Sequence, residues 1–448
     1  MKIIIAGSGD VGFHLAKLLT QENQDIVLID IDQEKLKQVA NKLDVVTVKG
    51  FSISYSVLEE ANVSQADLLI AVTSSEETNI ATAIIAKHLG VKKTVARVSN
   101  SEFILNRSKL DLKNLGIDEV IYPEGLATTE IQWLLREVAL TDNYDFDRGK
   151  LSLIGITIDS DSLLLGKSNI ETAYLNPDHN FVTIAILRNN KTVIPRGETR
   201  FQLNDHAYFI AEPEGVDRVL DLTGRKRSKI KYVMILGGSK TGLNAAKVLS
   251  KNYKVQIIEQ NKNRCIELSD QLDDTLVVHG DGRDIGLLKA EGISDMDAFI
   301  AVTGNTETNI LSCLVAKNHG VKKTISLVEN IDYIHLSQNL GIDAMINKKL
   351  ITANFIFRYL RQGGVISMTS IPGVEAEIVE YQIKENSKIT TKQLKDLNFP
   401  RDAIVGGVIR NRRGYAATGE SRFIPGDRVV VLSTPDCIRE VGEFFNEV

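Results

Sequence analysis

Short hydrophobic runs alternate with amphipathic segments along the first 120 residues of the chain. The apolar runs are short enough for buried strands, and the segments between them place apolar side chains at helical spacing. The predicted strands are residues 2–6, 25–30, 45–48, 68–72 and 94–98, and the predicted helices are residues 11–19, 33–43 and 80–88. This alternation predicts a parallel sheet with helices on both of its faces.

The same pattern returns in residues 231–350, so the chain contains a duplication. The segment DLLIAVTSSEETNI at 67–80 matches DAFIAVTGNTETNI at 297–310 in nine of fourteen positions. Two shorter regions, 151–222 and 376–445, also match each other, with RGETRF at 196–201 answered by TGESRF at 418–423. A basic segment, GRKRSKIK at 224–231, joins the two copies and is interpreted as a solvated linker.

We therefore expect an α/β protein in which one two-domain unit occurs twice. Each unit has a Rossmann-like, doubly wound parallel-sheet domain followed by a small α+β domain that begins with an amphipathic helix. These helices are expected at residues 127–140 and 350–362. The expected domains are residues 1–125, 126–224, 231–350 and 351–448.

A glycine-rich turn follows the first strand and opens the first helix. In a GxGxxG turn the first glycine permits the bend, the second lets a pyrophosphate approach the backbone, and the third lets helix and strand pack closely. An acid at the end of the following strand, 18 residues after Gly12, suits a ribose diol and argues against a 2′-phosphate. The candidate residues are Gly7, Ser8, Gly9, Asp10, Val11, Gly12, Asp30 and Asp32, with Phe51 at the base edge.

The second copy departs from this pattern. Ser239 replaces the middle glycine and narrows the approach to a pyrophosphate, whereas Lys240 adds a charge that could meet a phosphate. The candidate residues are Gly237, Gly238, Ser239, Lys240, Thr241, Gly242 and Glu259, with Asp281 in the position of Phe51. The first half is therefore expected to be the better dinucleotide site. For the second half, the alternative that it binds no nucleotide and is kept only for packing stays open.

The carboxyl end of the fourth strand supplies further candidates, because ligands of open α/β sheets lie outside that edge. These are Thr73 and Ser74 in the first half and Thr303 in the second, together with Arg97, whose counterpart is Leu327. The segments 77–79 and 307–309 are interpreted as residues that cap the next helix, since Thr and Asn cap helices well.

Composition and charge narrow the range of functions. A formal charge of −5 argues against nucleic-acid binding. Three scattered cysteines, no signal peptide and no apolar run of membrane length favour a reduced cytosolic protein without a metal site. None of the seven histidines lies in a recognisable catalytic setting, so we expect no enzyme, with an NAD-dependent oxidoreductase as the weaker alternative.

The two strand–turn–helix copies, GSGDVG with Asp30, and the repeated RGETRF and TGESRF segments together resemble the RCK (KTN) family, which regulates potassium conductance. The resemblance covers all four domains and is strongest to the tandem regulatory subunits of bacterial Trk potassium uptake systems. It implies NAD(H) as a ligand, with ATP or ADP at one or both sites. It also implies a homo-oligomer, as a tetrameric ring or a dimer of dimers, on the inner face of the membrane. The implied partner is a potassium-transporting membrane subunit of the TrkH or TrkG type, and another cation transporter or antiporter stays open as the partner.

Overall fold

The computed structural model describes residues 1–21, 24–105, 110–136, 142–147, 149–189, 191–224, 230–330, 333, 341–360, 365–371 and 374–445. The chain divides into two compact units. One contains Met1–Thr129 and Asn347–Leu360, and the other contains Glu130–Ile346 and Arg361–Val448.

The first unit is built on a six-stranded sheet with the order β3-β2-β1-β4-β5-β6, in which every pair is parallel. Its elements are β1 Lys2–Ala6, α1 Asp10–Gln21, β2 Asp25–Asp30, α2 Gln33–Ala40, β3 Val46–Lys49, α3 Tyr55–Glu60, β4 Leu68–Ala71, α4 Glu76–His88, β5 Lys93–Arg97, α5 Glu102–Leu105 and β6 Glu119–Ile121, followed by α6 Pro123–Arg136, which continues into the second unit. The strand order reverses direction between β1 and β4, which is the switch point where Rossmann-like sheets bind ligands.

Helices cover both faces of this sheet. Ile3, Ile4 and Ile5 are at most 1% exposed although they point to alternate faces of β1, which explains why the strand is continuously apolar. A further helix of the same unit, α13 (Lys348–Leu360), comes from much later in the sequence and packs against α1.

The second unit contains a sheet domain of the same design, with the order β14-β13-β12-β15-β16-β17. Its elements are β12 Tyr232–Leu236, α9 Lys240–Leu249, β13 Lys254–Glu259, α10 Lys262–Gln271, β14 Thr275–His279, α11 Ile285–Ala290, β15 Ala298–Ala301, α12 Thr306–Asn318, β16 Lys323–Leu327 and β17 Ala344–Ile346. These strands are also parallel throughout.

The two small domains are antiparallel five-stranded sheets with the orders β10-β9-β11-β8-β7 and β18-β19-β22-β20-β21. The first contains β7 Asp142–Phe146, β8 Leu151–Thr157, α7 Asn169–Tyr174, β9 Phe181–Arg188, β10 Lys191–Val193, β11 His206–Ala211 and α8 Pro213–Leu222. The second contains β18 Val365–Ser370, β19 Glu377–Gln382, β20 Ala403–Arg410, β21 Arg413–Ala416, β22 Arg428–Ser433 and α14 Ile438–Glu443.

One hydrophobic core joins the two small domains. Ile184 and Ile210 of the first domain lie in the same buried cluster as Ile378 and Leu432 of the second. The two sheets therefore stabilise each other by burying apolar surface between them.

Each small domain also contains the same bidentate ion pair between an arginine and an aspartate. Arg188 donates from Nε and a terminal nitrogen to the two carboxylate oxygens of Asp205, both at 2.7 Å, and Arg410 holds Asp427 in the same way at 2.8 and 2.6 Å. The two aspartates are almost fully buried. A buried carboxylate needs such a partner, so the repeated Arg and Asp positions have a structural role.

The α/β prediction with two Rossmann-like sheets and two small mixed domains is confirmed. The helix expected at 80–88 begins earlier, at Glu76. Most of the linker, 225–229, and the ends of the helices expected at 127–140 and 350–362 lie outside the described residues. Within the described ranges, no helix has the length and apolar character that crossing a membrane requires.

Candidate functional site

The first glycine-rich turn is held by the acid at the end of β2. The amide and the hydroxyl of Ser8 donate to one carboxylate oxygen of Asp30 at 2.6 and 2.8 Å, and the amide of Asp32 donates to the other at 2.9 Å. Burial acts to raise the pKa of Asp30, but these hydrogen bonds outweigh it, so the pKa lies below its ordinary value. Asp30 is therefore an anion at neutral pH, and the oxygen that accepts from Asp32 has a further lone pair for a ligand hydroxyl.

Asp32, a further candidate from the sequence, lies between β2 and α2. Its side chain caps α2, accepting hydrogen bonds from the amides of Glu34 and Lys35 at 2.9 and 3.3 Å. This cap orients the helix that borders the turn.

The second turn repeats the grip with a longer acid. Glu259 accepts from the amide of Gly238 through one oxygen and from the amide of Asn261 through the other, both at 2.7 Å. The extra methylene of Glu259 lets it reach past Gly238, where a Cβ would lie 3.0 Å from its carboxylate. Both halves therefore place a carboxylate against a glycine turn at the carboxyl edge of the sheet.

The middle position of the turn distinguishes the two halves. Gly9 leaves open space, since a Cβ there would meet no atom within 4 Å. Ser239 fills the equivalent space, and its hydroxyl donates to the carbonyl of Val302 and accepts from the amide of Gly242. The side chain of Ser239 therefore occupies one backbone amide at the start of α9. Gly9 has no side chain, so it occupies no amide of α1 in this way.

The outer positions of both turns are fixed by packing. A Cβ on Gly12 would lie 1.9 Å from the carbonyl oxygen of Gly7, and Gly242 is equally close to Gly237. Val11 and Thr241 are buried. Their side chains therefore face the protein interior.

The segment after β4 is held in place by the side chain of Asn79, which is not the N-cap of the next helix. Ser75 is the N-cap of α4, so the capping role expected of residues 77–79 is wrong. Asn79 is buried, and its oxygen accepts from the amide and the hydroxyl of Thr73 while its nitrogen donates to the carbonyls of Thr73 and Arg97. The amide and hydroxyl hydrogens of Thr73 are thus directed at the Asn79 side chain, and Asn79 connects the segment after β4 to the end of β5.

The second half repeats this clamp, and its N-cap is Asn305. Asn309 accepts from the amide and hydroxyl of Thr303 and donates to the carbonyls of Thr303 and Leu327. Because Arg97 and Leu327 each accept through the backbone carbonyl, the difference between their side chains does not affect this hydrogen bond.

The remaining candidates of the first half lie around the same sheet edge. Ser74 is exposed, Arg97 is half-buried at the end of β5, and the Phe51 side chain is 64% exposed beyond the end of β3. In the described structure, these side chains border the edge and are not packed into the core.

In the second half this edge borders a cleft of about 740 Å³. Six of the sequence-based candidates line it: Gly237, Gly238, Ser239, Glu259, Asp281 and Thr303. Two arginines that were not among the candidates, Arg264 and Arg283, line it as well. Arg264 lies in the first turn of α10 and donates to the carbonyl of Gly238 at 2.7 Å. Its position was foreseeable, because the helix that follows the acid must begin at this edge.

Arg283 and Asp281, both in the lining of this cleft, form an ion pair at 2.7 Å. Hydrogen bonds from the Arg283 side chain and backbone lower the pKa of Asp281 from 3.8 to about 2. The base-edge position that is aromatic in the first half is therefore a charged pair in the second.

Comparison with known protein families finds the same repeat. Residues 3–123 and 233–348 match the TrkA-N domain family, and residues 153–224 and 378–446 match the TrkA-C domain family. The chain is 34% identical to the Trk system potassium uptake protein TrkA homolog 1 of Methanosarcina mazei, over 99% of this chain and 100% of the relative. It is 31% identical to the Trk system potassium uptake protein TrkA of Halomonas elongata, over 96% of this chain and 95% of the relative.

Solved structures share the fold at lower sequence identity. The GsuK RCK domain superimposes with a TM-score of 0.60 at 16% identity, over 99% of this chain and 94% of the other. The GsuK channel bound to NAD gives the same TM-score and identity, over 99% and 78%. The two TrkA relatives are potassium uptake proteins and not enzymes, in agreement with the expectation from sequence.

Proposed function

The chain belongs to the TrkA family of Trk potassium uptake proteins, and we propose that it is a regulatory subunit that controls potassium uptake in response to nucleotides. Its proposed partner is a potassium-transporting membrane subunit of the TrkH or TrkG type. We place the protein on the cytoplasmic face of the membrane, where it assembles with further copies of itself into a ring.

The observation that carries the nucleotide proposal is the grip of a carboxylate on each glycine turn. Asp30 and Glu259 occupy the place from which a ribose diol would be bound, beside backbone amides that suit phosphate. The proposed first site comprises Gly7 to Gly12, Asp30, Asp32, Phe51, Thr73, Ser74 and Arg97. The proposed second site comprises Gly237 to Gly242, Glu259, Asp281 and Thr303, to which the structure adds Arg264 and Arg283 as lining residues.

The proposed ligands are NAD(H), ATP and ADP. The GsuK channel has been solved bound to NAD and, separately, bound to ADP, which supports nucleotide binding in this fold. In this chain the open turn at Gly9 favours a pyrophosphate in the first half, whereas the Ser239 cap and the charged Asp281–Arg283 pair favour a different ligand in the second.

Regulation follows from differential binding. A nucleotide shifts the ring toward one conformation only as far as it binds that conformation more tightly. A coupling of about 1–3 kcal/mol changes the conformational equilibrium several-fold to a hundred-fold, which suffices to switch ion flux. We propose that the tandem segments 1–125 with 126–224, and 231–350 with 351–448, are the units that respond.

The ribose assignment is tested by calorimetric titration of the full-length protein with ATP and with 2′-deoxy-ATP. The wild type should prefer the ribonucleotide, and Asp30→Ala and Glu259→Ala should each abolish the preference at one site. A preference that survives in both variants would refute the assignment, even if overall affinity falls because the turn has lost its support.

The transport proposal is tested by isolating the membrane partner and reconstituting both proteins in vesicles. Potassium uptake should depend on this subunit and change with ATP, ADP or NADH. A partner that carries another cation or exchanges protons would assign the subunit to a different transporter.

A further inference from the structure

A helix from the second half of the sequence completes the edge of the first glycine turn. Helix α13 belongs to the first unit and packs against α1, with Ala353 and Ile356 fully buried. Its second residue is Lys349, whose Nζ lies 2.5 Å from a carboxylate oxygen of Asp10. Asp10 is the first residue of α1 and follows Gly9 directly.

This lysine is placed where phosphate charge would accumulate. The first turn of a helix attracts phosphate through its free amides and its dipole, and Asp10 brings an opposing negative charge to the same turn. Lys349 neutralises that charge from outside the turn. The Asp10 side chain is 68% exposed, so the pair is a surface ion pair that holds the fold weakly and can open readily.

The two halves have opposite charges at the two positions that form this pair. The residue equivalent to Asp10 in the second turn is Lys240. Lys349 stands three residues after the end of β17, and the residue three after the end of β6 is Glu124. The first copy thus has an acid at both positions and the second copy has a lysine at both, so Lys349 brings to the first turn a positive charge that the first copy lacks at these positions.

We infer that Lys349 contacts the phosphate groups of the nucleotide in the first site and makes the affinity depend on their number. A ligand with a chain of phosphates offers Lys349 a stronger partner than Asp10, and the ammonium then donates to the phosphate instead. Because Lys349 is carried by α13, the phosphate count of the ligand acts directly on a helix of the second half. This inference rests on the proposed function and names the residue that makes the first site sensitive to ATP against ADP and AMP.

The test measures ATP, ADP and AMP affinity in the full-length protein with only the first site open. Gly304→Trp provides that background, because Gly304 lines the second cleft and a Cβ there meets no atom within 4 Å. In this background Lys349→Ala should weaken ATP binding roughly tenfold, as expected for loss of one charged hydrogen bond, and AMP binding less than twofold. Asp10→Asn should tighten ATP binding, since it removes the competing acid.

A matched control is Lys92→Ala. Lys92 forms a similar surface ion pair with Asp67 at 2.6 Å, but these residues lie just before β5 and β4, at the opposite edge of the same sheet. It should leave all three affinities unchanged. Thermal unfolding of each variant verifies folding, and Lys349→Gln, which keeps the length of the side chain, replaces Lys349→Ala if that variant does not fold.

Two results would overturn the inference. One is an unchanged ATP affinity in Lys349→Ala and Lys349→Gln, and the other is an equal loss for ATP and AMP, which would mean that Lys349 acts through the fold. In both cases the wild type still binds nucleotide and the proposed function stands. If the wild type binds none of the three nucleotides, the proposed function fails and this inference fails with it.

Discussion

Exchanging the middle residues of the two turns should move affinity and stability in opposite directions. Gly9→Ser places a hydroxyl where Ser239 has one, with no atom within 4 Å of the new Cβ to resist it. The new hydroxyl can accept from the amide of Gly12 and donate to the carbonyl of Val72, as Ser239 does with Gly242 and Val302. The first helix thereby gains a cap, and the phosphate site loses an amide.

The two effects differ in size. Serine exceeds glycine as an N-cap by only a few tenths of a kcal/mol, so the melting temperature should rise slightly. A hydrogen bond to a charged group contributes about 1.5–3 kcal/mol, so the affinity for ADP should fall roughly ten- to a hundred-fold. The mirror change, Ser239→Gly, should cost a little stability and tighten binding at the second site.

Both changes are measured by calorimetric titration with ADP, each in a background that closes the other site. Gly304→Trp closes the second site for Gly9→Ser, and Gly9→Trp closes the first for Ser239→Gly. An ADP affinity that is unchanged in a folded Gly9→Ser protein would refute the view that the first turn of α1 binds phosphate.

Three further predictions concern the fold and the charges of the sites. Gly12→Ala should lower the free energy of unfolding by more than about 2 kcal/mol, since its Cβ would collide with the carbonyl of the first glycine, whereas Gly9→Ala should be tolerated; chemical denaturation compares the two. Asp427→Asn should cost about 2–3 kcal/mol by leaving Arg410 without its anion, less than for a fully buried pair because the arginine is one-third exposed. Arg283→Ala should return the pKa of Asp281 from about 2 toward 3.8, followed by NMR titration of the carboxyl carbon. Because the folded-state pKa is lowered, any stability from this pair is present above pH 4 and is lost as the pH falls toward 2.

Sequence patterns were sufficient for the architecture because each element has a local signal. The apolar run of β1, the glycines of the turn and the acid at the end of β2 follow one another within 30 residues, and each is required by the backbone or by the packing of its neighbours. Because the second copy repeats the same signals, its architecture followed from that of the first.

Roles that depend on distant neighbours escaped the sequence. Asparagine is a common helix cap, so the sequence favoured that role for Asn79. Only the position of β5 shows that its side chain connects Thr73, after β4, to the carbonyl of Arg97 at the end of β5. Lys349 and Asp10 lie 339 positions apart, and no local pattern pairs them. The position of Arg264 at the sheet edge could be inferred from its place in the first turn of the helix after the acid, but its hydrogen bond to the carbonyl of Gly238 could not.

The return of α13 to α1 has a consequence for synthesis on the ribosome. The first sheet domain can form as soon as its own strands emerge, but the helix that covers α1 is made more than 300 residues later. At about 5–20 residues per second, the apolar face of α1 waits roughly 20 to 70 s for its partner. During that interval the nascent chain presents a surface that chaperones bind, and a second nascent chain could supply the missing helix in its place. Assembly of this protein is thus coupled to the order in which its halves are translated.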